Sequence, residues 1–166
     1  MSDLAVAIEY DNWATETVAR FCAALPPAQL EFTTPGTMGT AKATLIHLVG
    51  AKERYAAALR GTPPPDDAIR ETTTKDVAQV VPRAAKLSEW FRGFAKGDLD
   101  LDKIIERRGA DGSVQHMPMG ILLAQFLHHG NEHRAQLGSI FGANGVELPH
   151  YSAFHWAQQL GKVTLP

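Results

Sequence analysis

Leu127-His128-His129-Gly130-Asn131-Glu132-His133-Arg134-Ala135-Gln136-Leu137 sets two histidines four residues apart in an otherwise helix-like run. Taken with its flanks, Leu122, Phe126, His129, His133, Leu137 and Ile140 recur at steps of four, three, four, four and three. That is the repeat of the core-facing stripe of an amphipathic helix. The pattern predicts a long helix from about Pro118 to Phe141, with Gly142 and Gly145 beyond it. Both His129 and His133 fall on its apolar face. His128 falls out of that phase beside Gln125 and Glu132, and belongs on the surface or behind a ligand. Glu132 adjoins His133 in sequence but faces about 100° away on a helix, so it is not read as a ligand.

Two imidazoles one helical turn apart can converge on one metal ion. The spacing alone is weak, because random placement of seven histidines in this length gives about 0.25 such pairs. Phase strengthens it. Two buried imidazoles would each lose solvation and need a hydrogen-bond partner, whereas a shared ion serves both. A third donor is offered by His47, embedded in Leu45-Ile46-His47-Leu48-Val49. Three neutral imidazoles with a coordination position left open describe a catalytic rather than a structural site. Zn²⁺ and Ni²⁺ both suit imidazole, and a single cysteine excludes a thiolate ligand set.

Other helices are predicted outward from this one. Leu4 to Leu25 carries Val6, Tyr10, Trp13, Val18, Phe21 and Leu25 at helical spacing, with Ser2 or Asp3 as its cap and Pro26-Pro27 as its stop. Thr40 offers a cap for a second helix ending at Arg60 before Gly61. A third starts near Thr74 and runs through Val77, Val81, Ala84, Leu87, Phe91 and Phe94, with Pro82 implying a kink or a later start. Residues Lys103 to Glu106 and Ser113 to His116 flank Asp111-Gly112 as a small hairpin or an irregular loop. A short last helix spans Ser152 to Leu160. Four long amphipathic helices without a convincing sheet imply an all-α helical bundle, and at roughly 100–200 residues per domain the whole of 1–166 is one domain.

Composition narrows the function. The 45% hydrophobic and 20% charged residues suit a globular chain with a real core. A net charge of −2 with interspersed signs leaves no basic stripe for nucleic acid. No uncharged apolar run approaches the roughly 18 residues of a membrane span. The start Met1-Ser2-Asp3-Leu4 has no signal-peptide character, and lone Cys22, in an apolar helical setting, is read as a small buried hydrophobe in a reducing, cytoplasmic compartment.

Tyr10-Asp11-Asn12-Trp13-Ala14, His47 with Glu53-Arg54-Tyr55, and His129-x3-His133-Arg134-x-Gln136 together resemble the DinB/YfiT-like family over nearly the whole chain. These are small bacterial metalloenzymes, unrelated to the DNA polymerase that shares the DinB name. The resemblance implies a four-helix bundle of up-down-down-up topology and a divalent zinc or nickel ion held by His47, His129 and His133. It also implies a homodimer. Characterised relatives include transferases and isomerases that use mycothiol, bacillithiol or glutathione, and some hydrolases. Some relatives carry Glu at the position of His129, so the all-histidine set places this chain on the DinB-like branch.

The expected function is therefore metal-dependent thiol transfer or hydrolysis on a small-molecule substrate, with a low-molecular-weight thiol or water as nucleophile. A non-enzymatic metal- or ligand-binding bundle with a structural or stress-related role is the alternative, and hydrogen-bonded core imidazoles without metal are the plainest reading. Trp13, Trp90 and Trp156 are read as core or interface anchors, and Tyr55 as core that could approach the site. Arg134 and Gln136 either orient a partner of the site or make helix-surface contacts. His116, His150 and His155 are read as exposed, or as a site rim.

Overall fold

A computed structural model describes residues 3–74, 76–109 and 112–163. Its elements, in chain order, are α1 (Asp3–Ala23), α2 (Pro27–Leu30), α3 (Ala41–Arg60), a 3₁₀ turn (Val77–Gln79), α4 (Val80–Phe94), β1 (Ile104–Arg108), β2 (Val114–Pro118), α5 (Met119–Ala143) and α6 (Ala153–Gln159). The architecture is mostly helical. One departure from the all-α expectation is the antiparallel β1–β2 hairpin, which pairs Ile104 with Pro118 and Glu106 with His116. Ile105 is its buried residue. Backbone bonds from Met119 to Lys103 O and from Gly120 to Leu101 O, at 2.9 and 2.8 Å, tie the hairpin's base to the first turn of α5. At its tip Gly112 has a positive φ of 81°, while Asp111 lies outside the described residues.

Local chemistry explains the boundaries of α3. The Thr40 side chain accepts a hydrogen bond from Ala43 N at 3.1 Å, answering one of the helix's free N–H groups. At the other end Gly61 adopts the left-handed conformation, and Gly61 and Thr62 donate to Ala58 O and Ala57 O, both at 3.0 Å. The third long helix begins later than Thr74. Asp76 caps the 3₁₀ turn through Ala78 N at 2.8 Å, and Pro82 sits in the first turn of α4, where its missing N–H costs nothing. Ser152 caps α6. Ser2, the other cap expected for α1, lies outside the described residues.

The four long helices share one core. α1 lies chiefly along α4, and α3 chiefly along α5. Phe91 of α4 stacks on Phe126 of α5 with ring centroids 4.4 Å apart, and Phe21 meets Phe141 edge-on at 5.6 Å. Each fully buried phenylalanine of this kind contributes about 1.5–3 kcal/mol over an exposed one. α1 keeps Val18 of the predicted stripe in the core but turns Val6 out, 41% exposed, and buries Ile8, Asp11, Thr15 and Cys22 beside it. The helix turns this way because Asp11 has partners in the core. No helix of the described residues is long and apolar enough to cross a membrane.

The proline-rich segment after α3 folds back over that helix. Ile69 N donates to Glu53 Oε2 at 2.7 Å, and Arg83 of α4 bonds Glu53 at 2.5 Å and Asp67 at 2.7 Å. At the crossing a Cβ on Gly50 would stand 2.3 Å from Ile69 O, so only glycine allows this approach. The segment thereby brings Glu71 to the face of α3 that bears His47.

Candidate metal centre

α3 and α5 lie side by side, and His47, His129 and His133 meet between them. One ring nitrogen from each lies within 4.8 Å of the others. His129 Nε2 is 3.1 Å from His47 Nε2 and 3.1 Å from His133 Nε2. The i, i+4 pair on α5 supplies two of these nitrogens, and the opposing helix supplies the third.

The outer nitrogens of two rings are held by acceptors. His47 Nδ1 donates to the Glu71 carboxylate, and His133 Nδ1 donates to Gln136 Oε1 at 3.0 Å. With their protons so placed, both rings turn an Nε2 lone pair towards His129. A hydrogen on His129 Nε2 could serve only one of those lone pairs. A cation among the three nitrogens would serve all of them, so the residues fit a divalent metal ion. His129 Nδ1 is buried with no hydrogen-bond partner among the described residues. Tyr55, 5% exposed, packs edge-on against the His129 ring with centroids 5.6 Å apart, fixing its plane from the core side.

Electrostatics keep the donors ready. Burial, helped by the neighbouring His133 and His47 rings, pushes His129 down to about 3. Burial also lowers His133 below the usual imidazole value, against the opposing Gln136 bond. Both are neutral at pH 7, the state a metal requires. For Glu71, burial works upwards, but hydrogen bonds from its own backbone and from His47 prevail and hold it below the ordinary carboxylate range. His47 and Glu71 side chains keep 26% and 32% of their surface exposed, so the centre opens to solvent on that side.

Arg134 is not a helix-surface residue. It is 1% exposed, and its Nη1 donates to Asp11 Oδ1 at 2.5 Å and to Thr15 Oγ1 at 3.0 Å. Lys52 Nζ lies 2.6 Å from the other Asp11 oxygen, forming a buried cluster between α1, α3 and α5. Glu71, Asp11 and Lys52 were beyond the sequence reading. For Asp11 a signal existed, since Asp11 and Thr15 put polar groups four apart on a helix's buried face. For Glu71, in an irregular segment 24 residues from His47, there was none.

The other histidines stay apart. His128 is exposed, His116 on β2 faces Glu106 across the hairpin at 3.7 Å, and His155 lies on α6 near His150 and Trp13. Trp156 is buried, while Trp13 and Trp90 are partly so.

The fold has a counterpart among known structures. A DinB-like protein from Bacillus cereus superposes with a TM-score of 0.58 at 19% sequence identity, over 83% of this chain and 90% of that one. At that identity the likeness speaks for the fold. No match is found among curated proteins. The sequence profile of the DinB family matches residues 1–161, and the chain belongs to that family.

Proposed function

We propose that this protein is a metal-dependent enzyme that joins a low-molecular-weight thiol, or water, to a small electrophilic substrate, with His47, His129 and His133 as ligands of a zinc or nickel ion. The observation that carries the proposal is the convergence of three Nε2 atoms, with the outer nitrogens of His47 and His133 already committed to Glu71 and Gln136. A divalent ion there supplies Lewis acidity, lowering the pKa of a thiol or water and polarising the electrophile. Glu71 and Gln136 hold the rings in position. Tyr55 and the α3–α5 core close the inner side, leaving approach from the side of His47.

The chain's own thiol is no nucleophile. Cys22 is fully buried, and burial pushes it up to about 12, so it is protonated under ordinary conditions. The nucleophile would then arrive with the reactants, as thiol transfer requires. A free buried cysteine also suits a reducing, cytoplasmic setting. We further infer an up-down-down-up bundle and a homodimer, as in the family.

Elemental analysis of tag-free protein beside a His129→Ala variant tests the centre. About one zinc or nickel per chain is expected in the parent and almost none in the variant. Equal metal content in the two would defeat the ligand set. A panel of thiols with electrophilic substrates then separates transfer, with product growing with thiol, from hydrolysis, in which thiol is irrelevant.

A further inference from the structure

Beside the histidines, α3 carries an arginine whose side chain has no partner among the described residues. Arg54 stands seven residues after His47, two turns further along the same face of the helix. Its side chain leans back towards the helix N-terminus: Nη1 is 3.3 Å from where a Cβ on Gly50 would lie, one turn nearer His47. Arg54 is half-buried, and among the described residues it makes no hydrogen bond and no ion pair. A guanidinium withdrawn from water without a partner is costly, and a planar fork of five donors is suited to an oxyanion. Glu71 is the acid whose field it feels most, but the Glu71 carboxylate is engaged by His47.

Two adjoining cavities meet at this arginine. One, of about 320 Å³, lies between α3, the proline segment and the hairpin, and is lined by Arg54, Pro64, Glu106 and Arg108. The other, of about 250 Å³, shares Arg54, Pro64 and Arg108 and adds Asp66 and Arg70. Together they reach the size of a small-molecule site. Their ionisable lining is three arginines against two carboxylates, a positive balance in a chain of net charge −2. Glu106 is spent on Arg108 at 2.7 Å, and Asp66 is exposed.

We propose that this cleft binds an oxyanion group of the substrate, a carboxylate or a phosphate, with Arg54 as the principal donor and Arg70 as the second cation, Arg108 being held by Glu106. The reacting end of the same molecule then extends back along α3 towards His47. That orientation rests on the metal-centre reading; the anion site itself does not. The substrate class is thus narrowed from small electrophiles or thiols in general to those bearing an anionic group.

The test is titration of the full chain, metal-free and zinc-loaded, with inorganic phosphate and with glutarate at constant ionic strength, followed by calorimetry. Glutaramide serves as the uncharged control. Arg54→Gln is expected to weaken anion binding by about tenfold or more, as loss of a charge-assisted bond implies, with metal content unchanged. Arg54→Lys, which keeps the charge but loses the fork, is expected to fall between the two, and stands in should the Gln variant fold poorly. A preference for phosphate or for glutarate names the source of the oxyanion. Equal anion affinity in parent and Arg54→Gln, equal binding of glutaramide, or no anion binding by the parent would overturn the proposal. Arg54-dependent binding by a protein that takes up no zinc would sink the metal reading and leave this one standing.

Discussion

His133 and Arg134 are neighbours in sequence, yet α5 buries them in opposite ways. Arg134 enters a cluster of paired charges: Asp11 lies between it and Lys52, at 2.5 and 2.6 Å, and Thr15 takes a further bond. His133 enters an unfinished one, in which three imidazoles face each other, two with their outer nitrogens held by Glu71 and Gln136 and the third with no partner among the described residues. A buried set of paired charges is a structural device, even though Arg134 Nε has no hydrogen-bond partner among the described residues, because both of its cations already face the Asp11 carboxylate. An open set of lone pairs beside solvent is a binding device. The two differ in what removal of one member does.

Removing Asp11 should have the largest effect. Asp11→Ala strands Lys52 and Arg134 as buried charges and is expected to cost about 3–5 kcal/mol, read as a lowered urea midpoint. Lys52→Met should cost far less, because burial already pushes Lys52 downwards and Asp11 keeps Arg134. A Lys52 variant as damaging as the Asp11 one would contradict the arrangement. Next comes Gly130→Ala, in which the new Cβ would lie 2.3 Å from Asp11 Oδ1, an oxygen pinned by Arg134. About 1–3 kcal/mol of destabilisation is expected from that overpacking, with the metal ligands untouched.

On the histidine side the response should be in affinity. Gln136→Ala frees the outer nitrogen of His133 and should weaken zinc binding by about 10–100-fold, measured by competition with a chromophoric chelator. Its urea midpoint should hardly move. An unchanged zinc affinity would mean that Gln136 does not orient the ring.

These two regions were unequally legible in the sequence. The histidine face of α5 and both ends of α3 follow from local rules of helix phase and capping, which need only neighbours in the chain. The Asp11 cluster does not, because apolar periodicity assumes that polar residues face water. Residues from three helices pair there, two cations on the one Asp11 carboxylate, and α1 is rotated relative to its apolar pattern, leaving Val6 outside. The hairpin segment admits two readings from sequence, since five-residue strands carry little periodicity. Glu71 reaches His47 only through the crossing at Gly50, a contact no spacing announces.

The smallest expected effect sharpens the contrast through pH. His129 titrates near 3 when folded and near the ordinary imidazole value of about 6.5 when unfolded. Between those values the unfolded chain binds more protons, so metal-free stability is full above about 6.5 and is lost as pH falls towards 3. His133 is displaced in the same direction and adds to the slope. Glu71, held low, adds its own loss only at the acid end, below the ordinary carboxylate value of about 4.3. The range between pH 6.5 and 5 therefore isolates the imidazoles from it. His129→Leu should flatten the dependence of the melting temperature on pH there. A slope unchanged by His129→Leu would mean that this ring is not held neutral by its burial, and that the histidine face of α5 is as finished as its arginine face.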